Sequence, residues 1–116
     1  MKFLCLAYGS GEDWEKLSEQ EQQSLLAQDE ELRRRGDYVT AVEPAVTTVT
    51  NWDRVLTTTD GPFARSSVPL AGFGIIEADS LDQAIELVAN TPCARANGAI
   101  EVRALYGQSA AEHVRA

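Results

Sequence analysis

The segment Phe3-Leu4-Cys5-Leu6-Ala7-Tyr8 constrains the fold of this chain more than any other. It is apolar throughout, carries an aromatic ring at each end and is stopped by Gly9-Ser10-Gly11, which fits a short buried strand better than a helix. Successive strand residues point to opposite faces, so Phe3, Cys5 and Ala7 share one face and Leu4, Leu6 and Tyr8 the other. Both sets are apolar, so a sheet built on this strand needs a cover on each side.

The rest of the chain supplies elements for one cover. Ser18 and Glu21 form a capping box, Leu25, Leu26 and Leu32 recur on one face, and Gly36 supplies a stop, which predicts a helix over about 18–35. Trp14 and Leu17 precede it and are expected in an extra turn that folds onto the sheet or onto a partner. Asp37 to Val42 reads as the second strand, ended by Glu43-Pro44 because proline cannot donate to a ladder. Thr47 to Thr50 and Arg54 to Thr59 are β-branched runs on either side of Asn51-Trp52-Asp53, the pattern of a hairpin. Gly72 to Ala78 reads as a central strand. Ser80 with Gln83 starts a second helix, with Leu81, Ala84, Ile85 and Val88 at helical spacing, and Pro92 is expected to end it at Thr91. After Gly98 the alternation from Ala99 to Tyr106 predicts a last strand, followed by a small, polar tail over 107–116 that contains His113.

Two helices on four or more strands predict an α+β fold, ferredoxin-like, with the helices on one face of an antiparallel sheet. The second apolar face is then expected to meet a second sheet, most simply that of a second copy of the chain. A homodimer is therefore expected, as one domain over 1–106 with the tail over 107–116.

Composition excludes several functions. Ten basic against eighteen acidic residues leave a formal charge of −8, which argues against a nucleic-acid partner. The one basic run, Arg33-Arg34-Arg35, falls where a helix C-terminus favours cations. No window approaches the length of a membrane span, and the N-terminal apolar run is too short for a secretory signal. Cys5 and Cys93 show no metal-ligand spacing and read as reduced thiols, so a cytoplasmic protein is expected. No glycine-rich phosphate loop and no metal-ligand cluster appears, so neither cofactor nor metal is expected.

The candidate site is the bend Asp60-Gly61-Pro62-Phe63. Proline presets φ and glycine adopts conformations that a Cβ forbids, so the carboxylate just before them is held on a rigid turn. Two readings stand side by side. In the first, the bend is a plain turn, with Asp60 hydrogen-bonding its own backbone and Phe63 plugging the edge of the core. In the second, Asp60 opens into a cleft near Glu101 and Arg103, which share a strand face, and a carboxylate pair beside a guanidinium supplies acid and base to a small polar substrate. The alternative for Glu101 and Arg103 is an ion pair that stabilises the sheet or the dimer. Ser66 and Ser67 lack a neighbouring base, and Cys93 at a helix end is expected to be inert because the negative end of a helix raises a thiol pKa. Trp14 and Trp52 are candidates for a pocket wall or a dimer surface, with core packing as the alternative.

Thr59-Asp60-Gly61-Pro62-Phe63-Ala64, Leu70-Ala71-Gly72-Phe73, Ile75-Ile76-Glu77-Ala78, Leu81-Asp82-Gln83-Ala84 and Gly98-Ala99-Ile100-Glu101-Val102-Arg103 occur in this order. The pattern resembles the YCII-related, or DGPF-domain, family over about 1–106. The resemblance implies a ferredoxin-like dimeric α/β barrel, with an activity largely unassigned in the family. The usual Glu-Thr-Lys-Glu after the motif is replaced here by Arg65-Ser66-Ser67-Val68. A branch of the wider family is thought to use a His-Asp pair. His113 lies beyond the matched region, which leaves Asp60 as the matched member and the expected catalytic residue. The ligand-binding set expected is Asp60, Gly61, Pro62, Phe63, Glu101 and Arg103. Association of some relatives with extracytoplasmic-function sigma factors implies an alternative, a non-catalytic regulatory or protein-interaction module.

Overall fold

The computed structural model describes residues 1–108, so His113 and most of the expected tail lie outside the described residues. The elements in chain order are β1 (Lys2–Tyr8), α1 (Gly11–Glu15), α2 (Glu19–Arg34), β2 (Tyr38–Ala41), β3 (Thr47–Trp52), β4 (Val55–Asp60), β5 (Leu70–Glu77), α3 (Leu81–Val88), α4 (Pro92–Arg95) and β6 (Ala99–Ala104). Four strands form one sheet in the order β2-β5-β1-β6, and each neighbouring pair is antiparallel. Helices connect β1 to β2 and β5 to β6, which is the ferredoxin-like plan with a β3–β4 hairpin added between its second and third strands. The sheet of the single chain is open, with β2 and β6 as its edges.

The serines act as helix caps. Ser18 Oγ accepts the Glu21 N–H at 3.1 Å and Ser80 Oγ accepts the Gln83 N–H at 3.1 Å, each satisfying an amide that the first turn leaves open. Ser10 does the same for Asp13 at 3.1 Å, so the expected extra turn is a short helix carrying Trp14. One helix end differs from expectation. The second helix stops at Val88, and buried Thr91 donates its hydroxyl to the Val88 carbonyl at 2.6 Å. Pro92 then opens α4, since the first helical position needs no N–H.

The core lies between the helices and one sheet face. Phe3 stands opposite Ile76 on β5 and Ala104 on β6, and Cys5 opposite Gly74 and Val102. Phe3, Cys5 and Ile76 pack with Leu32 of α2 and with Ala84 and Val88 of α3. Phe3 and Ile76 are almost fully buried, a transfer worth about 2–3 kcal/mol for each side chain. The expected division of β1 therefore holds: the face with Phe3 and Cys5 receives the helices.

The opposite face has no cover from the described residues. Leu4, Leu6, Phe73 and Ile75 are half-buried there and Tyr38 is exposed, its ring 5.8 Å from that of Phe73. Glu101 is paired in register with Leu6 and Arg103 with Leu4, so both charged residues lie on this face along β6. Among the described residues no helix is long and apolar enough to cross a membrane.

The hairpin turn is tighter than expected. Asn51 and Trp52 belong to β3, and the bend is Asp53-Arg54, with φ of 53° and 64°. Two successive positive φ values are the backbone of a type I′ turn, which matches the twist of a two-residue hairpin.

Candidate functional site

The Asp60-Gly61-Pro62-Phe63 bend closes the base of the hairpin, and backbone groups hold it. Gly61 has φ of 116°, a conformation that a side chain would strain. Its N–H donates to the Val46 carbonyl at 2.9 Å, and its carbonyl accepts the Thr48 hydroxyl at 2.6 Å. These two bonds tie the bend to β3 and to the segment before it.

The bend is a turn, but two contacts expected of the plain-turn reading are not made among the described residues. The Asp60 side chain is exposed and makes no hydrogen bond or ion pair with the described residues, so it does not cap its own backbone. Phe63 does not plug the core edge, being 74% exposed. Both line a cleft of about 1050 Å³ whose walls are residues 42–47 on one side, residues 59–67 on the other, and Pro69, Leu70 and Tyr8 from the sheet. Thr47 pairs with Asp60 across the hairpin, so the carboxylate sits where the arm leaves the body.

Glu101 and Arg103 are outside this cleft. They face each other at 3.7 Å on the open sheet surface, both largely exposed, and such a pair contributes little to stability. Tyr8 connects the two places. It lines the Asp60 cleft and its hydroxyl is hydrogen-bonded to the Glu101 carboxylate, which together with partial desolvation and the Glu101 charge pushes the phenol pKa up, against a smaller lowering by Arg103. The sequence placed Tyr8 on this face of β1. Its place in the cleft depends on the pairing of β1 with β5 and its closeness to Glu101 on that of β1 with β6, which no local pattern contains.

A second, smaller cavity of about 310 Å³ lies between α2, α4 and the covered sheet face. Its floor carries Ala7, Gly72 and Gly74, and Asp29, Arg33, Thr91 and Cys93 stand on its walls. Burial pushes the Asp29 carboxyl up, partly opposed by Arg33, and burial followed by the Asp29 charge raises the Cys93 thiol. The direction of the Cys93 shift is the one expected, for a different reason. Cys93 belongs to the first turn of α4 and packs against Gly9, where an added Cβ would stand 2.9 Å from its sulfur. Thr91 and Arg33 already spend donors on the Val88 and Val39 carbonyls. Asp29 had no signal in the sequence beyond its place on an amphipathic helix.

The model of the YCII-related domain matches residues 1–107. The chain belongs to the YCII-related family. Among solved structures, this YCII-related chain is similar to 5-chloro-2-hydroxyhydroquinone dehydrochlorinase (TftG) from Burkholderia phenoliruptrix AC1100, solved in complex with 2,5-dihydroxybenzoquinone. The two are 21% identical, the match covers 93% of this chain and 97% of that one, and the TM-score is 0.47. No curated protein matches the YCII-related chain.

Proposed function

We propose that this YCII-related chain is a cytoplasmic homodimer that binds a small polar ligand in the Asp60 cleft and performs acid–base chemistry there through Asp60. One observation carries the reading. A carboxylate without a partner among the described residues is held on a backbone-locked bend at the mouth of a roomy cleft. An unpartnered carboxylate on such a bend suits a ligand that presents an N–H or O–H, and it can accept that proton and return it. Tyr8, on the same sheet face as Glu101, lines the sheet side of the same cleft. The homodimer is supported by the uncovered apolar face, since such a surface marks an interaction site. Two free cysteines suit a reducing compartment.

The same apolar face favours a second reading, a non-catalytic module that docks a protein partner such as a sigma factor. Substitution at Asp60 separates the two. In a thermal-shift screen against a metabolite library, a ligand at a hundredfold excess over its Kd stabilises by about 2.7 kcal/mol. Wild type is expected to give a hit that Asp60→Asn abolishes. A hit that survives in Asp60→Asn removes the cleft from the reading, and no hit with either protein favours the docking module.

A further inference from the structure

The β3–β4 hairpin projects as an arm. Its strands pack on each other and on no other strand or helix to a comparable extent. Every residue of β4 is exposed, and so are Val49 and Trp52 of β3. Cross-strand pairing puts Trp52 and Val55 on one face and Val49 and Leu56 on the other. The arm therefore shows apolar side chains on both faces near its tip, with Trp52 72% exposed.

An isolated two-stranded hairpin is at best marginally stable in water and needs further strands or a packed surface. The edges of this one also lack the usual protection, since β3 and β4 contain neither proline nor lysine. The arm starts beside the open sheet face: Tyr8 and Leu70, at the end of that face, line the same cleft as the arm's base. The two uncovered surfaces are thus continuous.

We propose that the arm clasps a second copy of this chain, inserting its tip so that Trp52 and Val55 on one face and Leu56 on the other are buried by the partner while the open sheet faces meet. The inference rests on the homodimer reading above and adds the element that completes it. Area argues for that division of labour. Four strands about 4.8 Å apart and about 20 Å long present roughly 400 Å² of flat surface, whereas a stable interface covers about 800 Å² of accessible surface on each partner. An arm of six-residue strands extends about 20 Å, enough to carry the contact past the rim of the sheet onto the partner. A two-fold axis makes both copies give and receive an arm, so no unpaired arm is left over.

The test uses the full chain. In a Trp14→Phe background, Trp52 is the sole tryptophan and reports on the arm. Sedimentation is expected to show a dimer, with Trp52 emission blue-shifted and protected from acrylamide in the dimer and red-shifted on dilution to monomer. Val55→Ser with Leu56→Ser is expected to raise the dimer Kd by roughly tenfold or more, with the circular dichroism spectrum retained. Trp52→Ala, which leaves β4 intact, is expected to act in the same direction. A dimer that is weakened by Phe73→Ser on the sheet face, unaffected by both arm variants and still quenched freely at Trp52, overturns the clasp and leaves the homodimer standing. A wild-type chain that stays monomeric at high micromolar concentration overturns both.

Discussion

Tyr8 and Glu101 belong to neighbouring antiparallel strands and meet on the uncovered face of the sheet, the phenol hydrogen-bonded to the carboxylate. The bond favours the neutral phenol, so the pKa is raised above 10.0, and Arg103 offsets part of the rise. Glu101→Gln removes the charge and is expected to lower the Tyr8 pKa, read from its ring carbon by NMR titration. The sign for stability follows from proton uptake. The unfolded phenol ionises first, so the contribution of the bond is complete at neutral pH and is lost as pH rises through the raised pKa. Glu101→Gln is expected to shrink that alkaline loss.

Cys5 gives a second alkaline dependence. Burial, then the negative charge of Asp37, pushes its thiol up to about 11 from the ordinary 9.0. Between those values the unfolded chain has released a proton that the folded chain keeps, so stability falls with rising pH, by about 2 kcal/mol across the window. Cys5→Ala removes this slope. Ellman's reagent at pH 8 is expected to react slowly with both thiols in the native protein and fast with both in guanidinium.

Asp37 joins β2 to the far end of β5. Its carboxylate is 5% exposed, accepts the Glu77 N–H at 2.9 Å and lies 3.3 Å from Arg35. Removing it leaves the Glu77 amide and the Arg35 guanidinium without this acceptor, at a cost of a few kcal/mol where such groups are buried, less here because Glu77 is exposed and Arg35 partly solvated. Asp37→Ala is expected to destabilise by about 2 kcal/mol in urea denaturation, and Asp37→Asn by less, since the amide oxygen still accepts from Glu77.

Arg54 occupies the second position of the type I′ turn with φ of 64°. A left-handed backbone costs an L-residue about 1–2 kcal/mol, and glycine escapes that cost while losing more chain entropy on folding. Arg54→Gly is expected to stabilise the arm by about 0.5 kcal/mol, seen as slower hydrogen exchange across β3 and β4. Its effect on the core amides is expected to be negligible.

Much of the scaffold was legible because its signals are local. Ser18 and Ser80 mark helix starts through bonds made within one turn, and the alternation of Phe3 to Tyr8 separates two faces whatever the strand pairs with. The bend Asp60-Gly61-Pro62-Phe63 was legible as a bend for the same reason. Its consequences were not. Whether Asp60 caps its own backbone or stands free depends on Gly61 already being held by Val46 and Thr48, residues that only the hairpin register brings there. Glu101 and Arg103 were correctly placed on one strand face, but the strand order put them beside Tyr8 and outside the cleft instead of next to Asp60. The sequence by itself determined the elements, the two apolar faces and the bend that carries Asp60, since each rests on backbone preference and side-chain periodicity over a few residues. The tertiary structure alone decided which face the helices cover, which side chains share the cleft and that the arm stands away from the body, because these depend on pairings between residues far apart in the chain.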